Sequence, residues 1–276
     1  MRRPAPRTRL PKLTDRLELG NGLKVSPFCL GMTDWEDCAS SAYDAGVNFF
    51  FLSADMHWPL YEGMRRSVAK LLRRSKGIRD EVVVAAVSYP TQPEFCTAPF
   101  EEVVEAVPEL QGRIDLLVIG GAYGGEFPTR LEVYREHLRS GFLGARAIGC
   151  TFHDRAAALT ALNEELTDLT FFRYNPGHAK ANKDFFPQID RPGRGLLYNF
   201  KSTSTYPRAR SRAERGSSFP RVSDYYRFAL TPPEMDGVLC SLGAQNELDE
   251  LVQALERGPL AQDEVERLIE LASPRR

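Results

Sequence analysis

The stretch "NFFFLSADMHWPLYEGMRRSVAKLLRR", residues 48–74, holds one complete strand–loop–helix unit. Phe49 to Leu52 are continuously apolar, without the polar alternation of a half-exposed strand, so the spacing predicts a strand buried on both faces. Asp55, His57 and Trp58 follow directly, as where a buried strand emerges at the mouth of a pocket. Beyond them Met64, Val68, Leu71 and Leu72 recur at helical spacing among arginines and lysine, which predicts a helix with one core face and one solvated face.

The same unit repeats along the chain. Apolar runs appear at "CLGM" (29–32), "VNFFFL" (47–52), "VVVAAV" (82–87) and "DLLVIG" (115–120), then at "ARAIGC" (145–150), "LTFFRYN" (169–175), "GLLYNF" (195–200) and "DGVLCSL" (236–242). Amphipathic stretches such as "TRLEVYREHLRS" and "DRAAALTALNEEL" separate most of them. Thr33–Glu36 and Thr129–Glu132 read as capping boxes, and Asp154 and Asn246 as N-caps. Eight alternations with strands buried on both faces predict an α/β fold, a closed (β/α)8 TIM barrel. A doubly wound open sheet is the competitor, but no GxGxxG turn follows the first strand. In "RLELGNGLKVS" (16–26), alternation around Gly20-Asn21-Gly22 predicts a β-hairpin ahead of the barrel.

The whole-chain properties agree. With 276 residues, 42% of them hydrophobic, the chain can bury one large core, and α/β barrels of about 250 residues run as single domains. Residues 1–13, "MRRPAPRTRLPKL", read as a flexible basic leader and 14–276 as one barrel domain; no apolar region follows the arginines as in a secretory signal. A net charge of -1 offers no basic field for nucleic acid. No run approaches the ~20 apolar residues of a membrane span. The five cysteines (29, 38, 96, 150, 240) lack CxxC spacing and read as reduced, buried thiols of a cytoplasmic protein. The four scattered histidines lack the spacing of a zinc site, so no metal is expected.

In a barrel of this type, chemistry gathers at the C-terminal ends of the strands. That places Thr33, Asp55, His57, Ser88, Tyr89, Thr151, His153, Asn175, His178 and Lys201 at the mouth. The candidates for acid/base work are Asp55 and His57, which the i, i+2 spacing can bring to one side of an extended chain, together with Lys201. Each also has a plain reading: Asp55 caps a loop, His57 packs on Trp58, His153 decorates a helix start, and Lys201 is solvated. Tyr89, Phe171, Tyr174, Tyr198 and Phe200 near strand ends suggest an apolar or aromatic small-molecule ligand.

Over nearly its whole length the sequence resembles the aldo/keto reductase family. "LELGNGLKVSPFCLGM" is similar to that family's bottom hairpin and first strand, and "AYDAGVNFF" to the helix and second strand that carry its catalytic Asp. "IDLLVIG" resembles the fourth strand, "ARAIGCTFHDR" the fifth and "LGAQNELDELVQAL" the cofactor-side end of the eighth. "RYNPGHAKANKDFFPQI" resembles a divergent bacterial branch. The resemblance implies a (β/α)8 barrel and NADP(H)-dependent carbonyl reduction by an Asp, Tyr, Lys and His tetrad. Position by position, however, Asp is replaced by Phe51, Tyr by Met56 or His57, Lys by Val87 or Ser88, and His by Gly120 or Gly121. The family's Ser-Asn pair for the nicotinamide amide falls on Thr151 and Phe152, and its strand-six glutamine on Phe171.

By the same resemblance, NADP contacts are expected at Thr33, Thr151, Tyr198, Phe200, Gly243, Gln245 and Asn246. Gln245 and Glu247 stand where the family usually places a basic residue for the 2′-phosphate, so preference for NADPH over NADH should be lost. Five arginines in "KSTSTYPRARSRAERGSSFPR" (201–221) form either a phosphate-binding lid or a disordered polar loop. Two functions therefore stand open. One is a nicotinamide-dependent oxidoreductase acting on a small carbonyl or alcohol through substitute donors such as His57, Tyr198 or Lys201. The other is a tetrad-less barrel, either a non-redox enzyme or a non-catalytic ligand binder.

Overall fold

A computed structural model describes residues 5–53, 55–121, 124–189, 194–212 and 220–273, without the side chains of Met56, Arg208 and Arg212. A two-stranded antiparallel hairpin, β1 (Leu17–Gly20) and β2 (Leu23–Val25), precedes the barrel. Asn21 at its turn takes a positive φ of 47°, which asparagine tolerates better than most residues. Eight parallel strands follow: β3 (Phe28–Leu30), β4 (Phe49–Ser53), β5 (Val83–Ser88), β6 (Leu116–Ile119), β7 (Ala147–Phe152), β8 (Leu169–Arg173), β9 (Leu196–Phe200) and β10 (Gly237–Cys240). β10 pairs with both β9 and β3, so the sheet closes into a (β/α)8 barrel. Each strand begins within two residues of the apolar run that predicts it.

The helices are α1 (Cys38–Asp44), α2 (Glu62–Arg73), α3 (Ile78–Glu81), α4 (Ala98–Ala106), α5 (Phe127–Ser140) and α6 (Arg155–Asn163). They continue with α7 (Ala181–Asp184), α8 (Tyr206–Arg212), α9 (Val222–Leu230), α10 (Gln245–Glu256) and α11 (Gln262–Ala272). Asp154 caps α6 as expected, its carboxylate accepting from Ala157 N at 2.8 Å. The other start signals fall elsewhere. Thr33 lies five residues before α1, while Thr129 and Asn246 lie inside the first turns of α5 and α10. Packing of the apolar face against the sheet sets those starts, and it overrides the local capping motif.

Alternation along the strands separates two apolar layers. Phe49, Phe51, Val83, Ala85, Val87, Leu116, Val118, Leu169, Phe171 and Tyr198 fill the lumen, while Phe50, Leu52, Val84, Leu117 and Phe172 pack under the helices. Leu19, Leu23 and Val25 of the hairpin join the lumen cluster and plug its N-terminal end. The leader is not wholly outside this body, since Leu10 and Leu13 are buried in the outer layer. No helix among the described residues is long and apolar enough to cross a membrane.

Candidate functional site

Parity decides which strand residues reach the C-terminal mouth. On β4, β5 and β6 the lumen-facing series runs through Phe49 and Phe51, through Val83, Ala85 and Val87, and through Leu116 and Val118. Phe51, Val87 and Gly120 are thus the last lumen positions of these strands; the resemblance places Asp at Phe51, Lys at Val87 or Ser88 and His at Gly120 or Gly121. Phe51 meets Phe171 edge-on at 5.2 Å, so its ring closes the floor of the mouth. At Gly120 there is no room for a side chain: a Cβ would stand 2.6 Å from Val87 Cγ2 and 2.8 Å from the Tyr89 ring. The last lumen positions of these three strands thus carry two apolar side chains and a glycine with no room for a Cβ.

Two phenols border that floor. Tyr61, in the loop before α2, packs with the lumen cluster and lies 6.0 Å from Phe51, ring to ring. Tyr89, after β5, is half-buried against the same cluster. Burial, then the nearby Tyr89 and Cys29, raises the Tyr61 phenol; burial, then Asp55, pushes Tyr89 up to about 12. No cation is among the causes for either, so both stay protonated and act as hydrogen-bond donors at neutral pH.

Asp55 and His57 lie together in one short 3-10 turn (Asp55–His57), but they are turned to different partners. Asp55, at φ 50°, accepts from the backbone N–H of Tyr89 at 3.0 Å, which is the loop-holding role. His57 packs its ring on Tyr89 at 4.6 Å between centroids, and its buried Nδ1 has no hydrogen-bond partner among the described residues. The 3-10 turn removes the extended geometry that would have put both on one side. Trp58 is covered by the Arg65 guanidinium, 3.4 Å from its ring centroid, rather than by His57.

Across the mouth, Thr151 closes the lumen side of β7 and its Oγ1 accepts from Gly121 N at 3.3 Å. His153 meets the Phe200 ring edge-on at 5.0 Å. Lys201 is exposed, with a positive φ of 56°, and its carbonyl accepts from Asn175 Nδ2 at 3.0 Å. Asn175 Oδ1 accepts from Gly177 N and contacts His178 Nδ1 at 3.0 Å, so Nδ1 carries the proton and Nε2 is left as the acceptor while the ring is neutral. Burial, then Lys201 and Arg173, holds His153 below the ordinary histidine range. Burial, then Arg173, Arg155 and His153, does the same to His178.

Several expected cofactor contacts fall differently. Tyr198 is fully buried and donates to Ser26 O at 2.7 Å, at the N-terminal end of the lumen, so it lines the plug and not the mouth. Phe200, two residues on, has the same parity at the open end. The Thr33 hydroxyl is committed to Leu242 O and to Trp35 N. At the start of α10, Gly243 N donates to Glu247 Oε2 at 2.7 Å and Gln245 Nε2 to Asp249 at 2.8 Å, while Asn246 lies exposed in the first turn. A carboxylate already occupies that helix N-terminus. In the arginine-rich segment, Tyr206–Arg212 forms α8 and Arg210 and Arg221 are exposed; the side chains of Arg208, Arg212 and Arg215 lie outside the described residues.

Residues not singled out from sequence complete the rim. Arg65 donates to Ser53 O at 3.1 Å, and fully buried Arg130 donates to Gly120 O and Ser88 O, both at 3.1 Å. Arg173 ends β8 with lumen parity and is paired in register with Phe200. Its signal was present in "LTFFRYN", where a lone cation closes an apolar strand. Tyr61 gave none, because it reads as the start of an amphipathic helix. No group of three or more metal-binding side chains occurs among the described residues, and all five cysteines are free and buried.

No protein-family model matches the sequence, and no curated protein matches it. Solved structures do match the fold. A thermostable aldo-keto reductase, solved with the inhibitor epalrestat, superposes with a TM-score of 0.66 at 16% identity over 93% of this chain and 99% of that one. An aldo-keto reductase from Bacillus halodurans in its apo form gives 0.65 at 16% identity, covering 94% and 96%. The structural neighbours are thus aldo-keto reductases, and at this identity the likeness is one of fold.

Proposed function

We propose that the chain is an oxidoreductase-like barrel that binds a nicotinamide dinucleotide and a small molecule at its C-terminal mouth, without the tyrosine–lysine proton relay of the aldo-keto reductases. The observation that carries this is that the last lumen positions of β4, β5 and β6 are Phe51, Val87 and Gly120, with Tyr89 filling the space above Gly120, so no lysine stands at the lumen end of β5. The residues present fit the nicotinamide end of the cofactor. Thr151 offers a half-buried hydroxyl and Phe200 a ring at the rim. They do not fit a 2′-phosphate, because the Glu247 carboxylate holds the N–H of Gly243 and would repel it.

When bound, the nicotinamide supplies a hydride. The chain's own part is to seat the ligand on Phe51 and Phe171 and to donate hydrogen bonds from Tyr61 and Tyr89 to a ligand oxygen. Neither phenol has a neighbouring cation to ease release of its proton, which costs the general-acid contribution of about 10² to 10⁴ in rate. The same feature favours a second reading, a ligand-binding barrel without turnover. Five free buried thiols suit a cytoplasmic setting.

Titration of the purified protein with NADH and NADPH, followed by nicotinamide fluorescence, tests the first reading. Saturable binding of NADH is expected, with NADPH bound no more tightly. Absence of any fluorescence change with either dinucleotide leaves the ligand-binding reading alone.

A further inference from the structure

We propose that the mouth beside β7, β8 and β9 is a binding site for an oxyanion, the carboxylate or phosphate of a small apolar or aromatic compound, with Arg173 as its principal partner. This rests on the reading of the mouth as the ligand site and names the ligand class it takes.

Leu169 and Phe171 of β8 face the lumen, and Arg173 follows with the same parity. On one side it is paired with Phe200 of β9; on the other, the register Thr151↔Phe171 and Phe152↔Phe172 brings His153 beside it. His153 reaches across to Phe200, and Asn175 ties His178 to the Lys201 backbone, so Arg173 and two imidazoles share one arc of the rim, with Lys201 near enough to act on His153 electrostatically. No carboxylate forms an ion pair with Arg173, His153, His178 or Lys201 among the described residues. The nearby acids are engaged elsewhere: Asp154 caps α6 and Asp184 binds Arg155 at 2.6 Å. Arg173 Nε is shielded from solvent without a hydrogen-bond partner.

Gathering cations without a counter-charge is unfavourable, and a polar atom shielded from water without a partner adds to the cost. An oxyanion relieves both, because a guanidinium fork matches carboxylate and phosphate geometry. Burial first and the neighbouring cations next hold both imidazoles below the ordinary histidine range, and an anion placed among them would raise their basicity. The apolar part of the ligand follows from the floor, where Phe51 and Phe171 are buried and Phe200 borders the arc.

The test is calorimetric titration with benzoate, phenyl phosphate and neutral benzamide, alongside NMR of the histidine rings. We expect both anions to bind at least about tenfold more tightly than benzamide, and Arg173→Gln to lose at least about tenfold of that affinity. Arg173→Lys should keep part of it, and exposed Lys201→Gln should lose a smaller factor. Saturating phenyl phosphate should raise the pKa of His153 and His178. Equal binding of benzamide, or unchanged anion affinity in a folded Arg173→Gln, overturns the proposal. NADH titrated into the same variants separates the sources. Loss of NADH binding in Arg173→Gln, with benzoate and phenyl phosphate unbound by wild type, would assign the arc to the dinucleotide pyrophosphate and overturn the substrate site. Failure of NADH to bind, with Arg173-dependent binding of both small anions, removes only the nicotinamide reading.

Discussion

At the N-terminal end of the barrel, Arg79 donates to Asp115 at 2.9 Å with both side chains at most 2% exposed, and Arg113 and Arg146 lie 3.6 and 3.9 Å from the other oxygen. At the C-terminal end, Arg65, Arg130 and Arg173 have no carboxylate partner among the described residues. Arg65 donates to Ser53 O, Arg130 to Gly120 O and Ser88 O, and Arg173 has a buried Nε without a hydrogen-bond partner among the described residues. The bottom cluster gives its buried arginine a counter-ion and also fastens strands, since Asp115 accepts from Val84 N at 2.8 Å and Arg79 donates to Leu110 O at 3.2 Å. Among the described residues the top leaves its arginines without an ion pair around an apolar floor. One end closes on its own ion pair; the other has the arrangement of the proposed oxyanion site.

The contrast can be broken most forcefully at the bottom. Asp115→Asn leaves buried Arg79 without its counter-ion and should cost about 3–5 kcal/mol of stability, read as a shift of the urea unfolding midpoint. The matching change at the top, Arg173→Gln, should alter stability by no more than about 0.5 kcal/mol, because no pair is broken. Equal losses at the two ends would erase the distinction.

A smaller effect lies in pH. His153 and His178 are held below the ordinary histidine range by burial first and neighbouring cations next, so the unfolded chain binds protons more readily than the folded one. Their contribution to stability is therefore present above about pH 6.5, the unfolded value, and is lost as pH falls through the folded values. Melting temperature should drop on acidification through this window in wild type and drop less in a His153→Gln, His178→Gln double variant. The smallest effect is at Lys201. Its φ of 56° strains any side chain, so Lys201→Gly should gain up to about 1 kcal/mol in urea unfolding.

The fold was legible because its signal is redundant. Eight apolar runs and the helical spacing of residues such as Met64, Val68, Leu71 and Leu72 all pointed to one architecture, and both layers of the barrel follow from parity along those runs. The site was legible only in part. That the lumen ends of β4, β5 and β6 are Phe51, Val87 and Gly120 could be counted from the alternation, and an apolar or absent side chain cannot move a proton wherever the loop lies. Pairing of Asp55 with His57 could not, because it depends on whether the chain after β4 stays extended, and a 3-10 turn forms there. Tyr198 and Phe200 share a face of β9, and only the strand's register shows that one belongs to the plug and the other to the rim. Arg173 is the reverse case: its parity could be counted from Phe171, but its missing partner is visible only once β7, β8 and β9 stand side by side.

The central claim is that the top of this barrel has kept a ligand mouth and lost the proton relay. Steady-state reduction of 4-nitrobenzaldehyde with saturating NADPH tests it most directly. The account predicts turnover at least about 100-fold below an ordinary kcat of about 10 per second, and little change in Tyr61→Phe. Turnover of about 1–10 per second would contradict it, by showing that a group in this mouth donates the proton that Phe51, Val87 and Gly120 cannot.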